Sequence, residues 1–158
     1  MPDTILVPTD FQVESLNTVK LTLEQTSTLI YIVLVYPMYP SGSITDLLFY
    51  SPGKLIRQSV SEEFTSALEI LKNRFESRLG GIRTELFHGS TNNAFKNFIE
   101  GQGITHIAIP KTYVLKTGKD SFNLLPFIKR CGTPCTMLDW PPFQHHLTPS
   151  QQLQTLFI

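Results

Sequence analysis

The chain has 158 residues, of which 41% are hydrophobic, a size and composition that suit one globular domain with its own core rather than two domains. Thirteen Lys and Arg residues balance thirteen Asp and Glu residues, so no general attraction to nucleic acid or to an anionic membrane is expected. No apolar run approaches the ~20 residues of a membrane span, and the N-terminus MPDTILVPTD lacks the basic start of a signal peptide. We therefore expect a cytoplasmic protein with neither a membrane nor a nucleic-acid partner.

The first part of the chain predicts two buried strands with a helix between them. Residues 4–10, TILVPTD, form a short apolar run that ends in polar residues, as a buried strand does. Residues 13–23 place apolar side chains on one face at helical spacing. Residues 27–36, STLIYIVLVY, are continuously apolar and β-branched, which is typical of a strand covered on both faces. Residues 37–58 mix Pro, Gly and Ser with apolar side chains and predict a long excursion with one helical turn near 44–50.

The second part predicts three more helices and three more strands. Ser61 as N-cap, the acids that follow it and the Gly80-Gly81 pair bound the clearest helix of the sequence. The remaining segments predict, in chain order, a strand at 82–89, a helix at 91–103, a strand at 104–110, a helix at 121–131 and a strand at 135–140.

Strands and helices therefore alternate along the chain, β-α-β-α-β-α-β-α-β. Helical crossovers of this length force neighbouring strands to pair in parallel, and right-handed crossovers then give a three-layer, doubly wound sheet. In such sheets a ligand crevice opens at the carboxyl ends of the strands, where the strand order reverses. The fold class is α/β, with the crevice as the candidate site.

Residues 141–158 follow the last strand and predict a separate C-terminal tail. The tail offers Thr148 as N-cap and Pro149 as the first helical residue, with the apolar side chains Leu153, Leu156 and Phe157 on one face. So short an amphipathic helix is not stable alone. It is expected to dock either on residues 1–140 of its own chain or on a partner protomer.

Cysteine and histidine spacing gives no metal motif. Cys131 and Cys135 are four residues apart with no histidine nearby, and we interpret them as reduced, mostly buried thiols. His145 and His146 are adjacent, and we interpret them as a solvated pair. We expect no metal site and no catalytic residue.

Several stretches resemble the universal stress protein family. They are ILVPTDF before the first helix, VLVYP at the end of the second strand, the unit FHGSTNNAFKNFIEGQGITHIAIP, and GTPCTML at the last strand. The resemblance covers roughly residues 3–139 and divides the chain into a universal stress protein-like domain, 1–140, and the tail, 141–158. It implies a Rossmann-like fold, similar to the adenine nucleotide alpha hydrolases, with strand order 3-2-1-4-5.

The resemblance also implies a nucleotide crevice. In ATP-binding members an Asp at the end of the first strand and backbone at the end of the second strand hold the adenosine part. The alternative for Asp10 is a cap on the first helix, formed by accepting amide hydrogen bonds. The positions of this sequence that match, together with residues that would contact phosphate, are Pro8, Thr9, Asp10, Val35, Lys111 and Ser121.

The phosphate loop departs from the family pattern. The family places glycines where backbone approaches the phosphates, but this sequence has Pro110 and Tyr113 there. Gly118 and Ser121 stand near the family's Gly-Ser or Gly-Thr pair without being adjacent. Loop lysines, Lys111, Lys116 and Lys119, offer charge in place of backbone donors.

Three functions remain open. The first is a regulatory or sensing domain without a cofactor, which acts as a homodimer through the last strand and also, as a hypothesis, through the tail. Trp140, at the end of that strand, is either an interface anchor or an ordinary core or rim aromatic. The second is a module that binds ATP or another adenine nucleotide through Asp10 and the lysine-containing loop. The third, a nucleotide hydrolase, lacks the HxGH and SGGxDS signatures after the first strand. We expect no enzyme.

Overall fold

The computed structural model describes residues 2–40 and 51–140, which form a five-stranded parallel sheet between two layers of helices. The strands are β1 (Asp3–Pro8), β2 (Ile30–Pro37), β3 (Leu79–Phe87), β4 (His106–Pro110) and β5 (Cys135–Leu138). The helices are α1 (Leu16–Gln25), α2 (Pro52–Ser59), α3 (Glu62–Arg74), α4 (Asn92–Gly101) and α5 (Leu125–Arg130), and a 3₁₀ turn at Val13–Ser15 precedes α1. The strand order is β3-β2-β1-β4-β5 and every neighbouring pair is parallel, which confirms the predicted fold class.

The sheet separates two hydrophobic cores. One core joins the sheet to α1 and α3, with Leu16, Phe64 and Leu71 fully or almost fully buried. The other joins it to α4 and α5 through Phe95 and Ile128. Right-handed crossovers explain this division. The chain adds β2 and β3 on one side of β1 and then β4 and β5 on the other side, so the connecting helices lie on opposite faces of the sheet. The reversal lies between β1 and β4, so the crevice is expected at the carboxyl ends of those two strands.

The helix that the sequence predicted most clearly is present. The Ser61 hydroxyl accepts a hydrogen bond from the Phe64 amide at 3.1 Å and so caps α3. The predicted end of that helix is wrong, because α3 ends at Arg74 and Gly80 and Gly81 lie inside β3. The Tyr31 ring of the neighbouring strand packs on Gly80, where a Cβ would lie 2.8 Å from ring carbon. These glycines give room for that ring in the sheet.

Three other predictions need correction. Residues 52–59 are helical, whereas the sequence predicted an excursion over 37–58 whose one helical turn lies near 44–50; Ser51 caps α2 and Pro52 is its first residue. The helix predicted at 121–131 is confined to α5. The thiols are less buried than predicted: Cys135 is exposed at the edge of the sheet, and Cys131 is of intermediate exposure.

Some predictions fall outside the described residues. They are the helical turn near 44–50, the pair His145 and His146, and the tail helix within 141–158. Of the helices within 2–40 and 51–140, none is both long and apolar enough to cross a membrane.

Candidate functional site

The carboxyl ends of β1 and β2 meet at the floor of the crevice. Pro8 pairs with Val35 across the two strands, and the Thr9 amide donates to the Val35 carbonyl at 2.9 Å. Thr9 and Asp10 are both buried, with 2% and 7% of their surface exposed. The sheet therefore brings together four of the predicted site residues, Pro8, Thr9, Asp10 and Val35.

The backbone turns sharply directly after Asp10. Phe11 adopts a φ of 61°, in the left-handed region that costs an L residue about 1–2 kcal/mol. Its amide donates to the Thr9 hydroxyl at 3.1 Å. Its ring stacks on Tyr36 with centroids 4.4 Å apart and meets Phe64 edge-on at 5.8 Å. Burial of the ring, which is 7% exposed, offsets the strain of the backbone.

The Asp10 carboxylate is held by three groups of its own chain. Oδ2 accepts the Tyr113 hydroxyl at 2.7 Å and the Lys116 amide at 3.0 Å. Oδ1 accepts the Gln12 amide at 3.0 Å. Gln12 precedes the 3₁₀ turn, so this last bond closes a turn two residues long and Asp10 does not cap α1. Charge-assisted bonds of this kind are among the stronger ones in proteins.

Tyr113 is in turn held by Trp140. The two rings stack with centroids 4.3 Å apart and planes 25° from parallel. The Trp140 indole N–H donates to the Thr18 hydroxyl of α1 at 3.0 Å. Burial raises the pKa of Tyr113 well above its ordinary value, and the negative charge of Asp10 and their hydrogen bond raise it further. The phenol is therefore neutral and acts as the donor to Asp10.

The loop between β4 and α5, residues 111–124, is also fixed to the end of β2. The Tyr39 amide donates to the Asp120 carbonyl at 2.7 Å, and Met38 and Ser121 form an antiparallel bridge. The Ser121 hydroxyl accepts the Gly118 amide at 2.6 Å, which closes a tight turn within the loop. The loop thus crosses the carboxyl ends of β1 and β2 and comes back to the sheet.

The described residues line a small cavity beneath this loop. A cavity of about 10 Å³ remains there, close to the room that a single water molecule needs. Its walls come from the ends of β1 and β2 and from the loop: Thr9, Tyr36, Pro37, Leu115, Lys116, Thr117, Ser121, Phe122, Asn123 and Leu124. Burial raises the pKa of Tyr36, whereas its hydrogen bond with Ser121 acts in the opposite direction.

The other predicted residues are placed differently. Ser121 is buried and lines the same cavity as Thr9. Lys111 is exposed at the start of the loop, and its amide donates to the Leu138 carbonyl at 2.8 Å. His88 Nδ1 lies 3.0 Å from the backbone carbonyl of Met38. Within the described part of the chain, no three His, Cys, Asp or Glu side chains come together in a way that could hold a metal ion.

The contacts that hold the β4–α5 loop over the strand ends were the part that sequence reasoning missed. The sequence indicated that Tyr113 obstructs a phosphate path, but not that its hydroxyl binds Asp10. Trp140 was predicted as an interface anchor or an ordinary aromatic, not as a support for Tyr113. A strand-end Asp and a Tyr in place of a loop glycine are the two signals that would have suggested the contact.

Fold and site together define a doubly wound α/β protein with a strand-end crevice at its topological switch point. No protein-family model matches the sequence, and no curated protein does. Several solved structures match this chain, over most of the length of both chains. The universal stress protein UspA from Lactobacillus plantarum superposes with a TM-score of 0.54 at 10% identity, over 88% of this chain and 97% of that one.

Two further matches carry a nucleotide. A universal stress protein family protein from Arabidopsis thaliana with AMP bound gives a TM-score of 0.52 at 12% identity, over 94% of this chain and 99% of that one. A universal stress protein in complex with cAMP gives 0.52 at 11% identity, over 86% and 96%. At sequence identities this low, the structural match establishes the fold alone. The chain has the fold of the universal stress proteins, as the resemblance predicted.

Proposed function

We propose that this chain is a universal stress protein-like regulatory or sensing domain whose nucleotide crevice is closed by its own β4–α5 loop. The observation that carries the proposal is the pairing of Asp10 with Tyr113. The Tyr113 hydroxyl, 2.7 Å from Oδ2, takes the hydrogen-bonding place that a ribose hydroxyl would need. The protein supplies the contact itself and needs no cofactor to complete it.

Several features of the described residues support a crevice that holds no adenine nucleotide. The Val35 carbonyl accepts the Thr9 amide, so one of its lone pairs is engaged within the sheet. Pro110 brings no amide to a phosphate, and the Tyr113 side chain stands where the family has glycine. The cavity that the described residues line beneath the loop is about 10 Å³, close to the room that one water molecule needs.

Thermal unfolding with and without millimolar AMP, cAMP or Mg-ATP tests this proposal. We expect no change in the melting temperature. A micromolar site would add about 4 kcal/mol at millimolar ligand and raise the melting temperature by several degrees. A rise of that size, absent from Asp10→Ala when each variant is compared with its own ligand-free melt, would overturn the proposal.

A second candidate is the adenine nucleotide module, and the neighbours with AMP and cAMP bound favour it. In that function the loop would open, Tyr113 would leave Asp10, and the exposed Lys111, Lys116 and Lys119 would face the phosphates. The melting experiment separates the two candidates, because only the second predicts a ligand shift. No residue of the crevice is proposed to be catalytic.

We also propose that the domain acts as a homodimer through β5. Among the described strands, β5 lies at the edge of the sheet, where it pairs with β4 on one side, and Met137 on it is 58% exposed. An edge strand with unpaired backbone groups and an exposed apolar side chain is a template for another strand. A second copy of β5 provides that strand by two-fold symmetry.

Sedimentation velocity at micromolar concentration tests the dimer. We expect the native chain to sediment as a dimer and Met137→Asp to sediment as a monomer, because a carboxylate there would face its own copy across the symmetry axis. Ile70→Asp is the matched control, since Ile70 is another exposed apolar residue, on α3. A native monomer, or a Met137→Asp dimer, would contradict the β5 interface.

A further inference from the structure

Two cysteines lie where α5 ends and β5 begins. Cys131 follows the last residue of α5, and Cys135 is the first residue of β5. They are the two cysteines of the chain, and both are free thiols. They are four positions apart in the sequence, and the function proposed above gives neither of them a role.

The register of the sheet places Cys135 on the same side as α5. Cys135 pairs with Ile107 of β4, and Met137 pairs with Ile109. Paired residues of parallel strands point to the same face of a sheet, and Ile107 and Ile109 belong to the core that α4 and α5 cover. Cys131 packs against that core as well. Both cysteines therefore lie on one side of the sheet.

The turn between the cysteines places their thiols close to each other. Gly132 has a φ of 79°, in the left-handed region that glycine adopts readily, and Pro134 has a fixed φ directly before β5. The Pro134 carbonyl accepts the Ile107 amide at 2.9 Å, which fixes the start of β5 beside β4. Burial raises the pKa of the Cys135 thiol, and the nearby Cys131 thiol raises it further, because two thiolates repel each other.

The pair is accessible to a small reagent. Cys135 is exposed, although it faces the side of the sheet on which the six-residue α5 lies, and Cys131 is of intermediate exposure. The Cys131 thiol donates to the Ile128 carbonyl at 3.1 Å, within the last turn of α5. A thiol is a weak donor, so little is lost when this contact is given up. A structural thiol that is inert is one enclosed by apolar surroundings, which Cys135 is not.

We propose that Cys131 and Cys135 form a redox-active dithiol, which a low-molecular-weight disulfide such as glutathione disulfide oxidises to an intrachain disulfide. The Cys135 thiolate attacks one sulfur of glutathione disulfide and forms a mixed disulfide, and the glutathione that leaves takes up the proton that Cys135 lost. The Cys131 thiolate then attacks the Cys135 sulfur, and the second glutathione leaves with the proton of Cys131. Two cysteine thiols are oxidised, and one glutathione disulfide is reduced to two glutathione thiols.

Oxidation links the end of α5 to the start of the edge strand. The new bond fixes the turn at Gly132 and removes two thiols from the exposed side of β5. This inference goes beyond the proposed function, because it depends neither on the crevice nor on a second copy of the chain.

Equilibration of the folded protein with mixtures of reduced and oxidised glutathione tests the pairing by mass spectrometry. The native chain should lose both thiols and retain no glutathione, which lowers its mass by about 2 Da. Cys131→Ser and Cys135→Ser are the matched controls, since each keeps one thiol and should stop at one glutathione adduct. A native chain that retains glutathione, a disulfide between two chains, or thiols that stay reduced in a large excess of oxidised glutathione would overturn the proposal.

The same equilibrium in concentrated urea separates the effect of the fold from that of the short sequence spacing. Cysteines four positions apart also form a disulfide in an unfolded chain, so the fold has to favour the bond. We expect the equilibrium constant against glutathione to be about tenfold larger for the folded protein, and the oxidised protein to melt at a higher temperature than the reduced one. A constant that is no larger for the folded protein, or a melting temperature that does not rise on oxidation, would count against the dithiol.

Discussion

Replacing Asp10 with alanine is expected to lower the free energy of unfolding of the ligand-free protein by about 3 kcal/mol. The substitution leaves the Tyr113 hydroxyl and the amides of Lys116 and Gln12 without the acceptor they now share. Hydrogen bonds to a charged group contribute about 1.5–3 kcal/mol each and are not additive, so the sum stays well below three separate bonds. For a chain of this size the melting temperature should fall by about 6–12 °C.

The sign of this effect separates a structural carboxylate from a binding one. A carboxylate that serves only to bind a ligand destabilises the ligand-free protein. Its removal commonly leaves the free energy of unfolding unchanged or raises it. Asp139→Ala is the control, since Asp139 is an exposed carboxylate near the same end of the sheet and should change stability by less than about 0.5 kcal/mol. Chemical denaturation that found Asp10→Ala as stable as the native chain would contradict the closed arrangement.

The fold was predictable because its signals are local or nearly so. Continuous apolar runs gave β1 and β2, and the Ser61 cap gave the start of α3. The misassigned glycines show where local reasoning failed. Gly80 and Gly81 after an amphipathic run indicate the end of a helix, and only the Tyr31 ring on the neighbouring strand explains why they lie in β3.

The site was predictable in its position and not in its contacts. Alternation of strands and helices places Asp10 and Val35 at the same edge of the sheet, whatever the detailed packing. The bond between Tyr113 and Asp10 joins residues 103 positions apart, and the bond between Trp140 and Thr18 joins residues 122 apart. Such pairings depend on how a loop folds back, for which a single sequence has no periodic signal.

In the arrangement that we propose, closure of the crevice depends on an aromatic cluster as well as on Asp10. Phe122 follows Ser121 at the end of the crossing loop and lies 5.0 Å from Tyr39 and 6.1 Å from Phe87, measured between ring centroids. Phe87, at the end of β3, is 4% exposed. Its ring also contacts Phe95, Phe98 and Phe127 at centroid distances of 5.3, 5.2 and 6.1 Å. Phe87 is therefore the point at which the loop is fixed to the sheet and to both helices of that core.

Phe87→Ala is expected to lower the free energy of unfolding by about 3–5 kcal/mol, because it leaves a cavity among four other rings. Phe98→Ala is the matched control on the same cluster; Phe98 is only half-buried, so about half that loss is expected. Chemical denaturation measures both. Since the loop would lose its anchor at Phe122, exchange of the amides in residues 111–120 should rise in Phe87→Ala at temperatures where the protein is still folded. Equal losses in the two variants, or a loop as protected in Phe87→Ala as in the native chain, would show that the loop is held by Asp10 and Trp140 alone.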